Sequence, residues 1–554
     1  MAEDHPITMS MSNSDGLKLR SLGNIRLRDH HTNEIILIPA PSRDPNDPLR
    51  WSQAYKYYMA GLVCLAMLMC NFLAAGPSIA IVDTTLEFFP GGPLPQSISR
   101  VAYFFTSTAL LQGIGNFLWI PLANKYGRRP IYITSYLIYF VCAVWLIFER
   151  SYGGFLGGRI ILGFGAGAAE SIAPMSIADV FFLHERGKIM ALYTSFLSVG
   201  VALGLIVDGL ILINNDWRVI YQVASALIGF VLLLAFFTFP ETAFKRDTQN
   251  DPNTSGSERV DLEKANATQN DRNTSGSGEV DVEKPNATPQ LHTFIPRKES
   301  YLQSLKIFRK TLTEESLLKM FVRPFALICL PPVLWAALVQ SVTIGFLVAV
   351  SSNVATAYQT AYGFEAWQAG LCFVAAVIGS LVGIPAGGTL GDKTADWFTK
   401  RNGGIREPEM RLPAMMLCLI STPLALILYG VGIAKQLHWI CSTIGLGLLN
   451  FSITQGTCVC LVYVIDAYRP VAGEVTLAVL GFKSLFGFLL SFYTNPWVEE
   501  SGYSAAYGTM ASIAAVVLLF WIPLYIWGKR VRQATWNWPF LSYVHWTDDR
   551  EVGE

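Results

Sequence analysis

The chain has 554 residues, 52% of them hydrophobic and 15% charged, with a mean hydropathy of +0.38 and a formal net charge of zero. That balance suits a chain whose main solvent is lipid, and its neutrality argues against a nucleic-acid partner, which would need a basic face. The nine cysteines fall inside apolar stretches with no histidine or further cysteine at ligand spacing, so neither a disulfide framework, a metal nor another cofactor is expected.

Residues 1–54 are polar and lack the short apolar core and small-residue cleavage site of a secretory signal, which predicts a cytosolic N-terminal tail. The first span then acts as its own insertion signal, entered through Trp51, Tyr55, Tyr57 and Tyr58 at headgroup level. Twelve apolar stretches follow, beginning near Tyr57, Val101, Ile131, Phe155, Ile189, Val219, Phe325, Trp367, Leu412, His438, Val475 and Ala505. Each runs for about 18 to 25 residues, long enough to cross a bilayer as a helix, which satisfies its own backbone polar groups in lipid. The expected fold class is an all-α membrane protein with twelve transmembrane helices. Its parts are a tail over 1–54, six spans over 55–241, a cytosolic disordered linker over 242–320, six spans over 321–529 and a cytosolic C-terminal tail over 530–554.

Cations crowd the connections after the even-numbered spans: Lys125, Arg128 and Arg129; Arg186 and Lys188; Lys245 and Arg246; Lys393, Lys400, Arg401, Arg406 and Arg411; Arg469. Those loops and both termini are therefore expected in the cytosol. The linker holds a near-duplication, Asp251 to Asn270 echoed by Asp271 to Gln290, too polar to bury a core. It also carries glycosylation sequons at Asn253, Asn266, Asn273 and Asn286, which a cytosolic location leaves bare.

Two tight basic turns stand at matching places. After the second span comes Pro121-Leu-Ala-Asn124-Lys125-Tyr-Gly127-Arg128-Arg129-Pro130, and after the eighth Gly388-Thr-Leu-Gly-Asp392-Lys393. Both resemble the G-x-x-x-D-[RK]-x-G-R-[RK] signature of the major facilitator superfamily, whose resemblance implies two pseudo-symmetric six-helix bundles. The first copy has Ile120 in place of Gly and Asn124 in place of Asp; the second lacks the Gly-Arg-Arg end. Asp44-Pro45-Asn46-Asp47-Pro48-Leu49-Arg50-Trp51-Ser52 is similar to a signature of fungal drug:proton antiporters, and Arg401 to Leu412 resembles their loop between spans eight and nine. Pro240-Glu241-Thr242 is common among facilitators generally.

Arg159, Gly163, Gly167 and Glu170 share one face of the fourth span and resemble the family's R-x-x-x-G motif, whose Arg is tied to proton coupling. Ionisable groups at membrane depth usually mark a pathway, so Arg159 and Glu170 are coupling candidates, against the alternative of a structural ion pair. In the fifth span Gly204 and Gly209 match an antiporter motif. Asp208 there is expected near Arg159, either titrating or bridged to it. Lys483 interrupts the eleventh span near its middle, too deep to snorkel, and either binds protons or substrate or serves as a fixed partner for Glu170. Gly379, Gly383, Gly387 and Gly391 repeat at packing spacing.

No phosphate-binding loop, nucleophile elbow or zinc-binding helix motif is present, which disfavours an enzyme and leaves an ion gradient as the driving force. The resemblance implies a monomeric proton-coupled antiporter in the plasma membrane of a fungal cell. Its partners would be protons, lipid bilayer and a small-molecule substrate: a lipophilic drug, toxin or fungal metabolite for export. Uptake of a cationic nutrient such as a polyamine, or of a sugar, is the alternative.

Overall fold

The segment before the first span is a chain of caps. Asp44 accepts the Asn46 amide at 2.8 Å, and Asp47 accepts those of Ser42 at 2.8 Å and Leu49 at 3.0 Å. Ser52 then caps α1 (Gln53–Ala75) by accepting the Tyr55 amide at 3.4 Å, so the two acids and the serine of the motif each satisfy donors that a helix start leaves open. This computed structural model describes residues 23–26, 36–39, 41–42, 44–244, 300–306, 311–313, 315–536, 538–539 and 544; the duplicated linker and its sequons lie outside them.

At Gly76 and Pro77, α1 tightens into a 3-10 turn and continues as α2 (Ile81–Phe88). There follow α3 (Leu94–Tyr126), α4 (Arg128–Phe148), α5 (Tyr152–Val180), α6 (Leu183–Ile211) and α7 (Arg218–Thr238). Beyond the linker come α8 (Leu317–Leu327), α9 (Pro331–Tyr362), α10 (Ala366–Leu371), α11 (Val374–Ile384), α12 (Leu390–Arg401), α13 (Met416–Ala434), α14 (Trp439–Ala467), α15 (Ala472–Leu519) and α16 (Trp521–Trp536).

Ten stretches among the described residues are long and apolar enough to cross a membrane. The 33-residue α3 is outside that set, its apolar run diluted by Thr106, Thr108, Gln112 and Asn116, all buried against neighbouring helices. The last stretch, Arg469–Trp536, is 68 residues long and is broken at Gly502, where φ 77° and ψ 159° mark a conformation that only glycine adopts readily. The seventh span starts later than its hydropathy suggests. Leu317–Leu327 is a separate short helix, and the long one opens at Pro331, because the Pro331-Pro332 pair fits a first turn and breaks an interior.

Within the first part of the chain α1 packs on α6, α3 on α5, and α4 on α5 and α7; in the second α9 packs on α15, α11 on α14, and α13 on α14 and α15. The two parts meet where α3 packs on α15 and where α6 packs on α11 and α14. The glycine repeat of the eighth span is a packing seam, with Gly383 against Thr454, and Gly387 against Gln455 and Cys458 of α14. The N-terminal tail forms β1 (Ile25–Arg26), antiparallel to β2 (Ile405–Arg406), with Ile25 opposite Arg406. Asn24 anchors that ladder by donating to Glu407 at 3.2 Å and accepting from Arg532 at 3.3 Å.

Candidate functional site

Close helix approach places the first carboxylate. Gly163 and Gly167 of α5 lie on the backbone of α3, where an added Cβ would collide with the carbonyls of Thr108 and Gln112. That contact brings Gln112 within 3.3 Å of Glu170, its amide nitrogen donating to Oε2. The other carboxylate oxygen is ion-paired and hydrogen-bonded to Lys483 of α15. Glu170 is 1% exposed and Lys483 7%, a depth at which either charge alone would be costly. Tyr193 of α6 fixes the same turn by donating to the Glu170 carbonyl at 2.7 Å.

Glu170, Lys483 and Gln112 stand in the wall of a cavity of about 980 Å³, mouth included, lined by α1, α3, α5 and α6 on one side and α9 and α15 on the other. Its lining is mostly apolar, with Phe105, Ile81, Leu347 and Val348 facing a scatter of serines. This is the combination expected of a small-molecule site: apolar walls and a few convergent polar groups.

Arg159 is elsewhere. It lies three turns along α5 from Glu170, about 16 Å at 1.5 Å per residue, so the two form no pair. Its guanidinium donates to the carbonyls of Phe104 at 3.1 Å, Leu73 at 2.9 Å and Ala74 at 3.0 Å, beside the Phe105 ring. Those acceptors are the ends of α1, where the bend at Gly76 leaves carbonyls open, and a turn of α3. Asp208 sits at the same level, its carboxylate against Gly76, fully buried and with no hydrogen-bond partner for either oxygen among the described residues. Arg159 and Asp208 are thus neighbours in depth without a direct bridge.

The first basic turn is a network. Gly127 takes φ 100°, and Arg128 reaches back to Asp179 at 3.1 Å, to the Ala123 carbonyl at 2.9 Å and to Asn124 at 3.2 Å. Glu241 of Pro240-Glu241-Thr242 accepts the backbone amides of Arg128 at 2.8 Å and Arg129 at 3.1 Å, capping α4. Burial pushes the Glu241 carboxyl up from its ordinary value, and those amides pull against it. Arg129 donates to the Phe236 carbonyl at 2.7 Å and also to that of Phe239. The Lys125 carbonyl accepts the Leu312 amide at 2.9 Å.

In the second turn Asp392 is ion-paired with Arg411 and lies against Gly187 at the start of α6, while Gly388 packs on Lys188 and Ala191. Lys393 is exposed. The two turns correspond: Asp392 meets the first turn of α6, and Asn124 approaches Gly473 at the first turn of α15.

Sequence reasoning missed Gln112 and Asp179, and it named Glu241 within Pro240-Glu241-Thr242 without giving it a role. Thr108, Gln112 and Asn116 recur every four residues on α3, a polar stripe that marks the face turned to α5. It also missed the polar seam between α6 and the pair α11 and α14, in which Ser198 bonds Asn450 of α14, Ser380 of α11 donates to Ser198 at 2.9 Å, and Thr194 donates to the Thr454 carbonyl of α14 at 3.2 Å. Among the described residues no three His, Cys, Asp or Glu side chains converge as a metal site.

Residues 61–471 match the family model described as Major Facilitator Superfamily. The chain is 27% identical over 530 residues to an uncharacterized MFS-type transporter of Schizosaccharomyces pombe, covering 91% of this chain and 89% of that one. It is 25% identical to Protein HOL1 of Saccharomyces cerevisiae, covering 93% of each, and 24% identical to the probable efflux pump mfs2 of Aspergillus flavus, covering 81% of this chain and 97% of that one. Among solved structures, the proton:xylose symporter XylE of E. coli, bound to 6-bromo-6-deoxy-D-glucose, superposes with a TM-score of 0.58 at 17% identity, covering 86% of this chain and 97% of its own.

Proposed function

The chain belongs to the major facilitator superfamily, whose members are transporters, and from that premise we propose a proton-coupled secondary transporter that exports a lipophilic drug, toxin or fungal metabolite. The ten apolar stretches, α3, and the arm of α15 beyond Gly502 then make twelve spans, in two six-helix bundles over 55–241 and 321–529, with both termini and the linker in the cytosol. The chain works as a monomer in the plasma membrane.

One observation carries the reading: the cavity between the two parts of the chain is crossed by Lys483 pairing with Glu170. Ionised Glu170 holds Lys483; protonated Glu170 has no charge with which to hold it. Proton occupancy therefore biases which way the cavity opens, and substrate occupancy of the same space couples to it. Arg159, by gripping the end of α1, and Asp208, beside the bend, are the second coupling candidates. The turns around Asn124 to Arg129 and Gly388 to Lys393 act as gates.

A compound panel scored for toxicity in host cells with and without the gene identifies substrates, and flux of a hit into sealed vesicles is then measured across an imposed pH gradient. Glu170→Gln is expected to keep expression and lose gradient-driven flux. Retention of full proton-dependent flux by that variant would overturn the assignment.

A further inference from the structure

Most glycines of the membrane part are filled spaces. On α15, a Cβ at Gly473 would meet Met175 at 3.3 Å and one at Gly481 would meet the Phe117 ring at 2.5 Å. Gly487 differs: it is buried, it lines the cavity, and a Cβ built there meets nothing within 4 Å. It lies one turn from Lys483 and one turn from Ser491, on the same face of α15, so its missing side chain leaves the cavity wide at mid-depth. Ser484 and Ser491 flank it, and neither hydroxyl has a partner among the described residues. The facing wall is the apolar run Ile344, Leu347 and Val348 of α9.

Charge narrows the occupant. Glu170 and Lys483 are the charged groups of the cavity lining, and each neutralises the other. A polycation finds no spare carboxylate there, and an anion must compete with Glu170 for the single ammonium. From these observations we infer that the cavity takes an uncharged amphiphile with a bulky apolar body, its hydroxyl or carbonyl edge on Ser484 and Ser491, and that Gly487 sets the girth it admits. The inference rests on the reading of this cavity as the substrate site.

The test needs no known substrate. Ser484→Cys is introduced in the full chain in lipid nanodiscs, and modification of that thiol is quantified by peptide mass spectrometry with four methanethiosulfonates: methyl, benzyl, trimethylammonioethyl and sulfonatoethyl. Rates are normalised to those of a free thiol in solution. Both neutral reagents are expected to outrun both charged ones. Adding Gly487→Leu should slow the benzyl reagent by about tenfold or more while leaving the methyl reagent within about threefold, and Gly487→Ala, which adds the least volume, should fall between. If the benzyl rate ignores residue 487 in both variants, Gly487 does not set the girth, and the transport reading stands or falls separately on vesicle flux. A charged reagent reacting fastest overturns the uncharged class. If no reagent reaches the thiol at position 484, the cavity is not an accessible site and the reading beneath the inference fails with it.

Discussion

Lys483 pairs with Glu170 across the cavity, so a helix of the second half supplies the counter-charge for a carboxylate of the first. Removing one partner of a buried pair strands the other, at a cost of about 3–5 kcal/mol, whereas removing both leaves no uncompensated charge. Lys483→Met should therefore lower thermal stability in detergent more than the double variant Glu170→Gln/Lys483→Met does. Additive losses in the double variant, measured by a double-mutant cycle, would mean that the two side chains share no energetic link.

Asp392 joins Arg411 of its own half to the first turn of α6 in the other. A contact of that kind sets the balance between states rather than the fit of the substrate. Asp392→Asn should slow transport while equilibrium substrate binding changes by less than about tenfold, or 1.4 kcal/mol. Arg128→Glu should act likewise and more strongly, since Arg128 also loses its bond to Asp179. A wild-type rate in Asp392→Asn, or a defect of affinity alone, contradicts this.

Much of this arrangement was legible in the residues, and the rest fails for identifiable reasons. Hydropathy finds a helix when its lipid face dominates, which is why α4 and α7 stand out and the more buried α5 is weaker. Charges at membrane depth, Glu170 and Lys483 among them, are visible as interruptions. Their pairing is one of the alternatives open for Lys483; the residues alone cannot choose it, because it depends on how α5 and α15 approach, and nothing in either helix alone encodes that register. Arg159 shows the same limit: its face is periodic with Glu170, yet the backbone carbonyls freed by the bend at Gly76 outcompete any carboxylate for its guanidinium. Glu241 stands in a recognisable local motif, but the amides it caps lie more than a hundred residues away at Arg128 and Arg129, which the motif does not reveal.

Glu241 also predicts a pH dependence of stability. Its carboxyl is raised above the ordinary value of 4.5 by burial, so the folded chain binds the proton more tightly than the unfolded one. Stability is then lost as pH rises from the ordinary value through the raised one, and the slope vanishes above it. Thermal unfolding of the wild type and Glu241→Gln between about pH 4 and 7 isolates this group: the wild type should lose ground against the variant as pH rises. Parallel curves would remove Glu241 as the source.

The orientation we propose, drawn from the crowding of cations at even-numbered connections, puts the linker on the cytosolic side. Ser275→Cys should resist membrane-impermeant thiol reagents added to intact cells, and glycosidase should leave the protein's mobility unchanged. Labelling from outside reverses the topology.

Asp208 makes the sharpest demand on the membrane interior, since both of its oxygens are buried without a hydrogen-bond partner among the described residues, and Arg159 beside it is already committed to three carbonyls. An unpaired buried acid is a cost that the fold carries, and such costs persist where function uses them. Asp208→Asn keeps the shape and removes the ionisable group, so it should leave the melting temperature unchanged or raise it. If Asp208 takes up a proton during the cycle, the same variant should lose one ionisation from the pH profile of flux, while binding of substrate at fixed pH is little altered because the residue lies outside the cavity lining. A variant that melts lower, with an unaltered pH profile, would make Asp208 a structural residue and leave Glu170 to couple the proton alone.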